Sequence, residues 1–145
     1  MLECYIVETN YSQAFYFQEY LNNGDDELLK KLTLSFQMMV SQEGTVKNDI
    51  HWKNLRSLHL KYPDNPIKIL GCDVVNEYRF PIKHLLKLTF DDPSWTQRAV
   101  LKQVLEDENA DFAFWNQDIQ QKLKSFVLDY LSNKNNSVLA SILLR

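Results

Sequence analysis

With 145 residues, 45% of them apolar and 12% aromatic, the chain has ample material for a buried core and is not a disordered segment. A formal net charge of −3 argues against a phosphate-binding surface, which normally needs a basic excess. Only 3 Gly and 4 Pro are present, too few for the turns of a many-stranded fold, so helices are favoured.

Residues 1–10 read equally as a short strand or a helix start. Thr9, Asn10 and Ser12 then offer capping groups ahead of an aromatic-rich helix that stops at Asn22-Asn23-Gly24, where Gly takes the left-handed conformation readily. Asp25-Asp26 caps a second helix whose apolar face carries Leu28, Leu29, Leu32, Phe36, Met39 and Val40. A loop is expected over 41–48 around Gly44. Asn48-Asp49 caps a third helix bearing Ile50, Trp52, Leu55 and Leu58, which Pro63 ends by Tyr62. Residues 67–75 are ambiguous, because Ile and Val favour a strand while Pro66 suits a helix start. Helix is preferred, since an isolated strand has no evident partner.

Phe80-Pro81 opens a helix with Ile82, Leu85, Leu86 and Phe90 on its apolar face. The turn Asp92-Pro93-Ser94 leads to a helix with Trp95, Ala99, Val100, Val104 and Leu105. Asn109-Ala110-Asp111 caps a long helix using Phe112, Trp115, Ile119, Leu123, Phe126, Val127, Tyr130 and Leu131, and Val138 to Leu144 forms a last short one.

The C-terminal part contains a pattern twice, forty-one residues apart, counted from Asp92 to Asn133. Leu85-Leu86, then Asp91-Asp92-Pro93-Ser94-Trp95, then Arg98-Ala99 is followed by Phe126-Val127, then Asn133 to Asn136, then Ser137-Val138 and Ala140. The pattern over 81–145 resembles a HEAT-type helical repeat, with Gln97, Lys134 and Leu139 departing from it. The resemblance implies stacked αα-hairpins that present a surface to another macromolecule. It also implies that Arg98 pairs with Asp91 or Asp92. The expectation is an all-α fold: a single domain over 1–145, of six to eight helices, with HEAT-like hairpins in its C-terminal half and internal punctuation at 62–66.

Catalytic signatures are scarce. Gly24, Gly44 and Gly71 are isolated, so no Gly-rich phosphate loop exists. His51 and His59 are eight apart, too far for one helical metal site, and neither metal nor cofactor is expected. Cys4 and Cys72 form no CxxC unit and no secretory leader is evident, which suits reduced thiols in a cytoplasmic protein. No apolar run approaches the ~20 residues that span a bilayer.

The carboxylates, by contrast, cluster at 25–27, 91–92 and 106–111. Such clusters suit helix N-termini, and they equally suit an acidic face that attracts a basic partner. The expected function is a non-catalytic intracellular protein-binding module, of the bacterial immunity class, that occludes a basic toxin or nuclease domain. Its contact residues would be Asp91, Asp92, Trp95, Glu106, Asp107, Glu108, Asp111 and Trp115. Two alternatives stand beside it. One is a nucleic-acid-binding protein using Lys53, Arg56, Lys61 and Lys68 with Trp52, His59 and Tyr62; the other is a small enzyme using Cys72 with His84 as base.

Overall fold

A computed structural model describes residues 4–34, 42–73, 77–90, 95–113 and 115–134. Helix dominates, as expected, with six helices among these residues. The chain divides into two compact units, Met1–Asp73 and Val74–Arg145. Pro63 and Pro66 lie inside the first unit, where Asn65 N–H donates to Tyr62 O (3.0 Å) in the turn after a helix.

The first unit runs β1 (Cys4–Val7), α1 (Tyr11–Asn23), α2 (Asp26–Leu34), α3 (Gln42–Lys61) and β2 (Lys68–Gly71). The preference for helix over 67–75 is overturned. Lys68–Gly71 pairs in parallel with Cys4–Val7, in the register Cys4↔Lys68 through Val7↔Gly71. Each ambiguous segment is the other's partner, and a strand becomes stable only when its ladder bonds are made.

Local chemistry sets the helix ends. Asn10 Oδ1 accepts from Gln13 N–H (2.9 Å), while the Thr9 hydroxyl and Asn10 amide both donate to Gln13 Oε1 (2.6 and 2.7 Å). This buried knot satisfies the first turn of α1. Gly24 closes α1 at φ 73°, its N–H donating to Tyr20 O. Asp25 Oδ1 then accepts from Leu28 N–H (3.0 Å) to start α2. The loop expected over 41–48 is instead helical from Gln42, so Gly44 sits within the first turn of α3 and Asn48-Asp49 is not its cap. Gly lowers helix stability without forbidding a helix.

Phe17, Tyr20, Leu21, Leu29, Leu32, Trp52, Leu55 and Ile69 are buried in this unit, each contributing roughly 1.5–3 kcal/mol for the large aliphatic and aromatic groups. The Phe17 and Trp52 rings stack with centroids 3.9 Å apart and planes 9° from parallel, joining α1 to α3. Leu58, expected on the core face, is exposed.

The second unit comprises α4 (Arg79–Leu88), α5 (Gln97–Glu106) and α6 (Gln117–Lys134). Ile82 and Leu85 from α4, Leu101 from α5, and Ile119, Leu123, Phe126, Val127 and Tyr130 from α6 form its core together with Tyr78, Trp95 and Phe112. The long helix begins at Gln117, not at Asp111. Phe112 and Trp115 follow helical spacing, yet Asp111 Oδ1 accepts from Ala113 N–H and Asn116 Nδ2 donates to Asp111 O, which holds this stretch as a loop. Asn116 Oδ1 is the cap, accepting from Asp118 N–H at 3.1 Å and Ile119 N–H at 3.4 Å. Phe90 is also misplaced by spacing alone: it lies beyond the end of α4 and is 71% exposed.

Helices α4 and α5 pack on each other as an αα pair. Its turn at 91–94, the segment from Asn135 to Arg145 with the last expected helix, and Phe36, Met39 and Val40 of the second apolar face all lie outside the described residues.

Candidate functional site

The acidic residues expected to face a partner divide into three groups. Asp25, Asp26 and Glu27 do what helix N-terminal carboxylates do, capping α2 and occupying its first turn. Asp91 and Asp92 lie outside the described residues. Glu106, Asp107, Glu108 and Asp111 are all exposed, but they stand at the C-terminal end of α5 and in the connection that follows. The helix dipole carries partial negative charge there, so it does not favour them. Asp107 Oδ1 accepts from Asn109 N–H (2.9 Å) and Asp111 from Ala113 N–H, bonds that shape the connection and leave each carboxylate facing water.

From Gln103 to Gln121 the chain carries five carboxylates (Glu106, Asp107, Glu108, Asp111 and Asp118) and no Lys, Arg or His. Lys102 Nζ, just before this stretch, approaches Glu106 Oε1 at 3.5 Å, an exposed pair worth ~0.5 kcal/mol or less. Trp115 lies within the stretch and is 56% exposed. The other expected anchor, Trp95, is not on the surface. It is 5% exposed, its Nε1–H donates to Asp129 Oδ2 at 2.7 Å, and its ring meets those of Phe126 and Tyr130 edge to face. A tryptophan with a partner for its N–H and two aromatic neighbours belongs to the core.

The second unit also contains a carboxylate that burial disfavours in its charged form. Glu77, half-buried before α4, has its pKa raised by desolvation, against the lowering pull of the Arg79 guanidinium and of the Arg79 and Phe80 N–H groups. Arg79 Nε stands 3.6 Å from Glu77 Oε1, and the Arg79 guanidinium lies over the Phe112 ring, 4.7 Å from its centre.

A feature without a sequence signal lies in the first unit. A cleft of about 170 Å³ opens between β1 and α3, lined by Tyr5, Val7 and Glu8 on one side and Asn48, His51 and Trp52 on the other, with Phe17 beneath. The Tyr5 hydroxyl and His51 Nε2 are hydrogen-bonded at 2.9 Å. The Tyr5 ring also meets the His51 ring (centroids 5.5 Å) and the Trp52 edge (6.1 Å). Sequence reading places His51 on α3 but has no means of finding Tyr5, forty-six residues away, beside it.

The basic and aromatic residues considered for nucleic acid are divided between core and surface, with Tyr62 and Lys68 exposed. Trp52 and His59 are buried, Lys53 faces Asp26 (3.9 Å), Arg56 packs over Gly24, and Lys61 lies over the Tyr62 ring. Cys72 is exposed, its Sγ–H donating to Val7 O at 3.2 Å, while His84 is buried in α4 of the other unit. Among the described residues no three His, Cys, Asp or Glu side chains converge as metal ligands, and no helix is long and apolar enough to cross a membrane. No family model, no curated protein and no solved structure matches the chain.

Proposed function

We propose that the chain is a non-catalytic, intracellular protein-binding module that captures a basic partner, in the manner of an immunity protein covering a nuclease toxin domain. The observation that carries this reading is the stretch from Gln103 to Gln121, with its five carboxylates, no cation, and an exposed tryptophan. Its carboxylates attract and orient a basic surface, and the field they sum to accelerates encounter. Trp115 supplies what charge alone lacks, a large apolar group that gains on desolvation at the centre of an interface. The HEAT-like arrangement belongs to the same reading, with α4 and α5 as the first hairpin and the acidic connection at the end of its second helix.

The test is a titration of the full chain against a panel of basic nuclease domains, with cleavage of a fluorogenic oligonucleotide as readout. Stoichiometric loss of cleavage with at least one domain is expected, relieved when Glu106, Asp107 and Glu108 are changed to Lys. Undiminished cleavage across the panel, with no complex on size-exclusion chromatography, would remove the inhibitor reading.

A further inference from the structure

The two-stranded sheet of the first unit has two outer edges, and the protein treats them differently. In a parallel ladder each residue turns both its N–H and its C=O to one side, and successive residues alternate. Cys72 N–H donates to Val7 O, which fixes Val7 and Tyr5 as the β1 residues facing β2. Cys4 and Ile6 therefore turn their main-chain groups to the far side. On β2 the outward residues are Ile69 and Gly71, and the edge is closed at Ile69: Gln18 Oε1 accepts from Ile69 N–H (2.9 Å) while Gln18 Nε2 donates to Ile67 O (3.2 Å). One amide side chain thus does for β2 what a third strand would do. Among the described residues nothing does the same for Ile6, whose side chain is 66% exposed and sits in register with Leu70, 51% exposed.

The open edge borders the cleft. The cleft is lined by Tyr5 and Val7 of β1, by Glu8, by Phe17 of α1 and by α3, and by no residue of β2, so it adjoins the strand that carries the open edge. Tyr5 and Val7 face it, Glu8 stands exposed at its rim, and among the described residues neither Lys nor Arg lines it. An unpaired strand edge beside a side-chain cleft is the arrangement by which sheets capture extended peptides: ladder bonds hold the main chain, and the cleft selects alternate side chains.

We propose that β1 accepts an extended segment of a partner protein as a third strand, pairing with the main chain of Ile6, and that a Lys or Arg of that segment enters the cleft beside Glu8 and the Tyr5 ring. The cation follows from charge complementarity, since Glu8 is the only carboxylate among the described residues that line the cleft and the face of the Tyr5 ring also favours a cation. A second copy of this chain is the weaker occupant. It carries the same net charge of −3, and a four-residue strand paired with its twin buries well under the ~1,000 Å² of a stable interface. The site is independent of the acidic connection in the second unit.

The experiment pans a displayed library of random nonapeptides on the full chain, then synthesises the enriched peptides. Enriched sequences should alternate apolar or β-branched residues and share one Lys or Arg at a fixed position. On binding, exchange of the Ile6 amide should slow by about tenfold or more. Glu8→Lys, with thermal unfolding unchanged, should weaken binding by about tenfold. The triple Lys variant at Glu106, Asp107 and Glu108 should bind the same peptides normally, which separates this site from the acidic one. Absence of enrichment, enrichment without protection at Ile6, binding indifferent to Glu8→Lys, or Ile6 protection that rises with protein concentration alone would each overturn the proposal.

Discussion

The two units reach stability by different routes. In the second, the core is three helices whose buried residues recur at helical spacing, so each element is specified by its own stretch of chain. In the first, the sheet exists only because Cys4–Val7 meets a segment sixty-four residues further on, counted from Cys4 to Lys68. Amphipathic helices can be read locally, whereas strand pairing is a property of two distant segments at once. The contrast extends to surfaces: the acidic connection of the second unit is continuous in sequence, while the cleft of the first is assembled from β1, α1 and α3.

The sharpest way to break the first unit's arrangement is at Trp52, the stacked ring that ties α3 to α1 and lines the cleft. Trp52→Ala is expected to cost about 3–5 kcal/mol, measured by urea unfolding. A loss under ~1 kcal/mol would mean that the stack is not the centre of this core. Next comes Gly71, where the sheet touches the start of α1. A Cβ there would lie 2.5 Å from Thr9 O and 2.6 Å from Asn10 O, both backbone, so Gly71→Ala must shift the chain. A cost of about 1–3 kcal/mol is expected, and slowed exchange at Leu70 should be lost with it. An unchanged midpoint would contradict the close approach that joins β2 to the helix cap.

In the second unit the matching test is Asp129→Ala, which leaves the Trp95 N–H buried without its acceptor. About 1–3 kcal/mol is expected, with a change in tryptophan fluorescence. The smallest effect concerns Glu77. Its carboxyl is held above the ordinary range, so the folded state retains a proton that the unfolded chain releases. Stability should therefore fall as pH rises from the ordinary carboxylate value through the raised one. Glu77→Gln should flatten that decline, coming closest to wild type below the window and gaining on it above. Melting temperatures from pH 4 to pH 8 decide this, and parallel curves would deny any net burial penalty at Glu77.

What was legible in the sequence follows from the same contrast. Asn10, Gly24, Asp25 and Pro63 mark helix ends through interactions spanning a few residues, and each acts where the sequence puts it. Spacing failed where polar side chains overrode it. Phe112 and Trp115 keep helical register with Ile119, but Asp111 and Asn116 hold a loop there, so α6 starts later. Trp95 illustrates a different limit. An aromatic residue at a helix start looks alike as anchor or core, and only Asp129, thirty-four residues away, decides that it is core. The acidic connection was visible because it is contiguous. The open edge of β1 was not, because its meaning depends on Gln18 closing the other edge.

In the proposed function, the stretch from Gln103 to Gln121 steers a basic partner. Its most direct test is stopped-flow association of the full chain with a basic nuclease domain, at low and at physiological salt, beside the Glu106→Lys, Asp107→Lys, Glu108→Lys variant. The wild-type rate should fall by about tenfold or more as salt rises, while the variant associates slowly and nearly independently of salt. Equal rates and equal salt dependence in the two proteins would contradict the claim.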